Sequence, residues 1–591
     1  MPLPAFWVMN PDLPQFTAAE HRGRFGWLDV VILAGLFGLL WSVLHFGGGM
    51  LTHFDEHAMP PLETGVWHIP YYAGRTLLRM WLAFCCSLTF TFAVGYAAAK
   101  SRVARAIILP AIDVLQSVPV LGFLSATVTG FMALFPGSLL GVECASIFAI
   151  FTGQVWNMTF GFYHSMVTIP SDLQEAATTF GLSRWQRFST LEVPSSMHSL
   201  LWNSMMSFGG GWFFVAQSEA ISVMNKNIKL PGLGSYMAGA VERGDNSGAF
   251  WAVVAMLLVI VASDQFVWRP LIAWADKFKM ELTEASQAPQ SWVYDLLRGA
   301  YVFEWLAIHL LHPVTERLRV LTQRFVPAGP RKSTHGFSLS KLVFILLGTA
   351  LVLWVGFHAV TGLIAAFESV RNAVSLEMLA KIAWLGVLTM LRVLAMTVLA
   401  TLIWTPIGVW IASKPGVARI AQPLAQIAAS FPVNMTFPIV VGLFVAWRIP
   451  MNWGSIFLIA MGTQWYLLFN VIAGAMAIPN DLKDAARTYG LRGWALWRTL
   501  ILPAIFPFWV TGACTAAGGA WNASIVAEWA TWGDTTLKAD GLGAFIADVT
   551  QRGDTPLIIC SIAMMSFFVV ATNQLLWRRL YSLAERRFRL D

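Results

Sequence analysis

Charge is scarce in this chain: Asp, Glu, Lys and Arg make up 12% of its 591 residues, about half the ~25% of an ordinary soluble domain. That excludes a soluble globular protein. Cysteine is almost as sparse, with five copies. Cys85, Cys86, Cys144, Cys514 and Cys560 stand in apolar stretches without a CxxC pair or neighbouring histidines, so they read as packing residues rather than a disulfide framework or a zinc site. His45, His53, His57 and His68 gather around one loop at unrelated spacings and read as solvated. The segment G-x-x-x-x-G-K-[ST] does not occur, which excludes a phosphate cradle of that type. There is no long basic run or base-stacking platform, so the net charge of +7 is loop charge and not a nucleic-acid surface.

What is abundant is apolar. Hydrophobic residues reach 57%, and 28 are Trp, a residue that favours the headgroup zone. The reading is an all-α polytopic membrane protein. Spans need about twenty apolar residues. The first half offers Leu28–Phe46, Thr76–Ala99, Ile107–Leu134, Leu139–Met166, Met197–Ser222 and Ala249–Leu271. The second offers Leu342–Phe367, Ile382–Ser413, Ile420–Trp447, Ile456–Ile478, Ile501–Val526 and Leu557–Trp577. About twelve helices, six and six, are expected. No cleaved signal peptide is inferred at the amino terminus. An inside amino terminus keeps Lys100, Arg102, Arg105, Arg184, Arg187, Lys414, Arg419, Arg487, Arg492, Arg498 and the basic tail in the cytoplasm, so both termini are expected there.

The two halves repeat one another. Trp156–Pro194 and Trp465–Pro503 match at about fifteen of thirty-nine positions, the mark of a duplicated unit. Outside that passage Arg79 pairs with Arg392, Ser117-Val118-Pro119 with Ser430-Phe431-Pro432, Glu219 with Glu528, and Gly232-Leu233-Gly234 with Gly541-Leu542-Gly543. Residues 1–272 and 341–591 are read as parallel halves with a pathway between them. Each carries an unmatched first span. Residues 273–340 are the linker, whose middle from Ser291 suggests an amphipathic helix on the inner leaflet.

Within the repeated passage, Ser171 suggests a helix cap with Gln174 reaching back, and Asn480 takes the same place. Leu173, Ala176, Ala177 and Phe180, then Leu482, Ala485, Ala486 and Tyr489, form one apolar face each. Gly181 and Gly490 follow where a helix stops in left-handed conformation. Both short helices, about 171–190 and 480–499, are expected on the cytoplasmic side.

Glu175-Ala176-Ala177, Gly181 and Pro194 resemble the EAA loop of ABC importer permeases. Asp484-Ala485-Ala486, Gly490 and Pro503 differ from it only by Asp for Glu. The resemblance implies two type I permease repeats in a bacterial inner membrane and coupling helices that dock on ATPases. It implies two separate cytoplasmic ATPase subunits holding ATP and Mg, no cofactor in this chain, and a substrate-binding protein that delivers solute. Together with the Gly-Gly-x-Trp stretch, the twinned Glu and Gly-Leu-Gly, the chain looks like permeases for nitrate, sulfonate, taurine or bicarbonate.

Polar residues inside spans are costly and mark candidate pathway or gate positions: Ser117, Pro119, Gln154, Asn157, Gln217 and Glu219, then Ser430, Pro432, Gln464, Asn522 and Glu528. Two acids on the route would repel an anion, so Glu219 and Glu528 are expected off it, or paired with a base such as Arg79 or Arg392. The alternatives are a fused ferric-iron-type permease, for which acids attract, and a secondary transporter, which leaves the repeated loops unexplained.

Overall fold

A computed structural model of the chain describes residues 25–53, 63, 65–116, 118–223, 226–278, 291–298, 300–306, 309, 354, 356–357, 360–532 and 535–588. The first half runs α1 (Trp27–Gly48), α2 (Ile69–Phe90, continued to Lys100), α3 (Arg102–Leu115), α4 (Val120–Leu134), α5 (Leu140–Val167), the short α6 (Ser171–Thr179) and α7 (Val193–Glu219). A hairpin of β1 (Ala220–Val223) and β2 (Lys226–Lys229), α8 (Leu233–Glu242) and α9 (Asn246–Ser263) complete it. The second half repeats the order as α10 (Leu376–Ala412), α11 (Pro415–Ser430), α12 (Phe437–Trp447), α13 (Met451–Met476), α14 (Asn480–Thr488) and α15 (Leu502–Ala527). Strands β3 (Trp529–Trp532) and β4 (Thr535–Lys538), α16 (Leu542–Arg552) and α17 (Thr555–Thr572) close it.

Among the described residues seven helices are long and apolar enough to cross a membrane, or nine if each bent pair counts as one span. Helix α5, of 28 residues, is ~42 Å long at 1.5 Å per residue. The expected spans Ile107–Leu134 and Ile420–Trp447 need correction. Each is broken, with α3 and α4 meeting at 89° and α11 with the helix after it at 75°. Pro119, in extended backbone, and Pro432, at ψ 86°, stand at the breaks, since a proline has no N–H with which to continue a helical ladder. The hairpins are also unforeseen. Both are antiparallel, with Ala220 opposite Lys229 and Trp529 opposite Lys538. They sit at the end of the bundle remote from α6 and α14.

Apolar packing joins the halves through the broken helices. Val120, Leu121, Leu124 and Val128 of α4 belong to the same buried cluster as Val433, Leu458, Trp521 and Ile525 of the second half. Met435, beside the second break, is buried with Met80, Phe208 and Trp212 of the first. The linker reading also changes. Instead of one helix, the segment forms Trp292–Arg298 and Tyr301–Leu306. Val293 and Val302 are buried, and the Val302 N–H donates to Asp29 of α1 at 2.8 Å. Most of 273–340, the start of Leu342–Phe367 and His57 lie outside the described residues. Cys85 and Cys86 are exposed on α2, whereas Cys560 is buried, and all five cysteines are free thiols.

Candidate functional site

Helices α6 and α14 are the same device built twice. Each follows a proline in extended conformation, Pro170 or Pro479. Each ends in a double hydrogen bond that satisfies its last carbonyls: Gly181 and Leu182 N–H to Thr178 and Ala177, Gly490 and Leu491 N–H to Arg487 and Ala486. This is the Schellman closure, and it needs a left-handed residue, supplied by Gly181 at φ +64° and Gly490 at φ +67°.

The cap reading is corrected. Ser171 and Asn480 are the first helical residues rather than the residues before them, and neither side chain caps the helix. Gln174 reaches instead to the Ile169 carbonyl at 2.9 Å. The reciprocal capping box lies twelve residues after Ser171, between Ser183 and Gln186 at the start of the turn that follows α6. The apolar face also divides. Leu173 and Ala177 pack inward with Ile169, Leu182 and Leu191, and Ala486 is likewise buried. Ala176 is half-buried, while Glu175, Asp484, Ala485 and partly Leu482 face outward. The aromatic tips stand free, Phe180 at 78% and Tyr489 at 82% exposure.

At the far end of each half, the twinned acids are clamped. Glu219 accepts from Thr76 Oγ1, Arg79 Nη1 and the Gly234 N–H, all at 2.7 Å. Arg79 also forks onto Glu143 at 2.5 and 2.7 Å, and Arg75 reaches Glu143 at 2.5 Å. All four charges are essentially fully buried. In the second half Glu528 accepts from Thr389 and Arg392 at 2.9 Å, and Arg392 turns its other amine to Asn452 at 2.9 Å. The clamps account for Gly-Leu-Gly: a Cβ on Gly232 or Gly541 would lie 2.2 or 2.1 Å from the carboxyl group. Glu219 and Glu528 thus tie the start of α8 to α2 and the start of α16 to α10, each within its own half and on the arginines Arg79 and Arg392.

Within the apolar contact between halves stand a few polar groups, several of them amides. Val120 N–H at the start of α4 donates to Asn522 at 2.9 Å. Across the pseudo-twofold, Asn434 donates to Gln217 at 3.3 Å. Ser430 lies against Gly209, where a Cβ would be 2.7 Å from its hydroxyl. Gln426 donates to Asp264 at 3.1 Å, and Asp264 also takes Arg269 at 2.9 Å. At the equivalent place on the other side Asp113, Asn573, Arg578 and Tyr581 line an open cavity of about 330 Å³. Pro119 and Pro432 are buried at the breaks. Gln464 instead accepts from Trp404 within its half, Asn157 is exposed, and Gln154 is buried with its amide unpaired among the described residues. Ser117 lies outside the described residues. Asn522→Ala leaves the Val120 N–H without its partner and is expected to cost about 1–3 kcal/mol, read as a lower melting temperature of the purified chain.

Glu143, Asn434, Asp264 and Gln426 were not singled out from the sequence. Arg75 and Arg79, four residues apart on one helical face, were the signal for Glu143, because two buried cations require buried anions.

A family model described as binding-protein-dependent transport system inner membrane component matches the chain twice, over residues 91–267 and 404–590. The chain is similar to the glycine betaine/carnitine transport permease protein of Listeria monocytogenes, 25% identical over 242 residues, 40% of this chain and 78% of that one. It is similar to a nitrate import permease protein of Leptolyngbya laminosa, 25% identical over 192 residues, 32% of this chain and 65% of that protein. The trimethylamine N-oxide transport system permease protein of Ruegeria pomeroyi is 23% identical over 532 residues, 83% of this chain and 74% of its own.

Proposed function

The chain belongs to the family of binding-protein-dependent transport system inner membrane components, as a duplicated ABC importer permease, and from that premise we propose that it passes a small solute from a binding protein to the cytoplasm by alternating access. Two cytoplasmic ATPase subunits, one under each half, hold the ATP and Mg. The carrying observation is the pair α6 and α14, identically stopped and each presenting an exposed aromatic, since exposed aromatics are anchors of protein interfaces. ATP-driven closure of the ATPases brings the two helices together and shifts the halves between their two states. The bacterial inner membrane, cytoplasmic termini, and halves at 1–272 and 341–591 around a linker belong to the same reading.

For substrate, the anion class of nitrate, sulfonate, taurine or bicarbonate is supported by the nitrate-importing relative. A dipolar solute without net charge is the second reading, and a specific observation favours it. Among the described residues the buried arginines Arg75, Arg79 and Arg392 are each matched by a carboxylate, so they offer no surplus positive field, and the amides of Asn522, Asn434 and Gln217 stand at the contact between halves. Co-purification with the partner binding protein, then thermal shift of that protein with nitrate, taurine, bicarbonate, glycine betaine, trimethylamine N-oxide and ferric iron, separates the readings. Stabilisation by nitrate or bicarbonate supports the anion class, and by betaine or the N-oxide the dipolar class; taurine, whose ammonium cancels its sulfonate charge, counts with the dipolar solutes. Stabilisation by ferric iron alone overturns both. A chain that retains no ATPase on gentle purification overturns the importer reading of α6 and α14.

A further inference from the structure

The two docking helices share a shape but are held to the bundle by different chemistry. In the first half, Gln174 of α6 accepts from Arg187 Nη2 at 3.4 Å. Arg187 lies on the turn Arg184–Arg187 that follows α6, and its Nε is 3.5 Å from Glu192. Glu192 ends the π-helical turn Phe188–Glu192 that leads into α7, is 2% exposed, and takes the ammonium of Lys100 on the same carboxylate oxygen. Lys100 is the last residue of the helix running on from α2. One chain of polar contacts therefore joins α6, the root of α7 and the end of α2.

The repeat lacks it. At the constant offsets that align the halves, Gln174, Arg187, Glu192 and Lys100 become Lys483, Leu496, Ile501 and Ser413. Ile501 packs against the large apolar cluster. The neighbouring Lys414 lies over the Trp410 ring at 5.0 Å. A buried carboxylate persists only where it is paired; Lys100 meets Glu192 in a charge-assisted hydrogen bond, which is directional, and Arg187 meets it as an ion pair without a hydrogen bond at its Nε. Apolar contact is not directional and tolerates sliding.

We propose that Glu192 is a positioning residue that fixes α6 rigidly to the membrane bundle, whereas α14 rests on a contact that can slip. Motion imposed on the first helix passes directly into α2 and α7, and the second helix follows with slack. The structural part of this inference stands without a partner, and its consequence for transport rests on the importer reading.

The test uses the full chain with its five cysteines replaced by alanine and a spin label at Phe180→Cys or, separately, at Tyr489→Cys. Glu192→Gln is expected to raise label mobility at position 180 and leave position 489 unchanged, while Glu192→Asp keeps the ordered spectrum. The graft Lys100→Ser, Arg187→Leu, Glu192→Ile makes position 180 resemble position 489. Gln174→Ala, which removes no buried charge, gives a smaller change of the same sign and covers a Glu192 variant that does not fold. No change at 180, or equal changes at both positions, overturns the proposal. In the complex with the ATPase it retains, Glu192→Gln lowers solute-stimulated ATP turnover about tenfold at unchanged KM for ATP. Turnover like that of the unsubstituted chain overturns the coupling role. If the unsubstituted chain holds no ATPase, the docking reading fails while the spectra still decide how α6 is held.

Discussion

Arg79→Met is expected to cost the folded protein about 3–5 kcal/mol, the penalty for stranding buried charge, a large part of the ~5–15 kcal/mol that stabilises a typical protein. Arg79 bridges Glu143 and Glu219. Without it Glu219 keeps only the Thr76 hydroxyl and the Gly234 N–H, neither of which neutralises a carboxylate. The measurement is the melting temperature and the monodisperse fraction of the chain in detergent. Arg75→Met is the control with the smaller effect, because Glu143 retains its two-pronged contact with Arg79. Adding Glu219→Gln to Arg79→Met should recover part of the loss. If Arg79→Met melts like the original chain, the clamp is not what secures the hairpin end.

The second large effect is on docking. Phe180→Ala with Tyr489→Ala removes side chains that touch little of their own protein, at 78% and 82% exposure, so melting should be unchanged. Association with the ATPase should fall steeply, since a central interface aromatic is worth about 2 kcal/mol or more, roughly thirtyfold in affinity. Ala485→Trp tests the same surface by addition, because Ala485 is exposed beside the tip and the larger side chain fits the free protein but obstructs a partner. Co-elution of ATPase on size exclusion and ATP-dependent solute uptake are the readouts. Full co-elution and uptake in both variants would sink the docking assignment.

The sequence showed the duplicated helices and their stops plainly, because a stop at Gly181 or Gly490 depends on local backbone freedom and leaves a local mark. Their starts are less plain. Ser171 resembles a cap, but Pro170 already occupies the extended position before the helix, which puts the serine one residue too far along for its hydroxyl to cap. The bends at Pro119 and Pro432 were half legible: proline was visible, yet hydropathy runs on unbroken through an 89° turn because burial does not depend on helix direction. The hairpins were illegible. Four-residue strands carry too short a pattern for alternation to show. The pairing of Glu219 with Arg79 spans 140 positions, and was reachable only by matching charges that a membrane interior does not tolerate alone.

Arg75 and Glu143 face one another in the first half, and the repeat has Leu388 and Asn452 at the corresponding positions. One half buries two cations with two anions, the other one of each, so both clamps sum to zero. This bears on how the halves parted after duplication. Whichever arrangement came first, the route to the other crosses an intermediate with a lone charge in the clamp, and that step is closed unless both sites change together or a neighbouring group shelters the stranded charge. At the clamp, then, charge changes between the halves come in balanced pairs, and the neutral sum persists in a chain whose two copies otherwise differ at most positions.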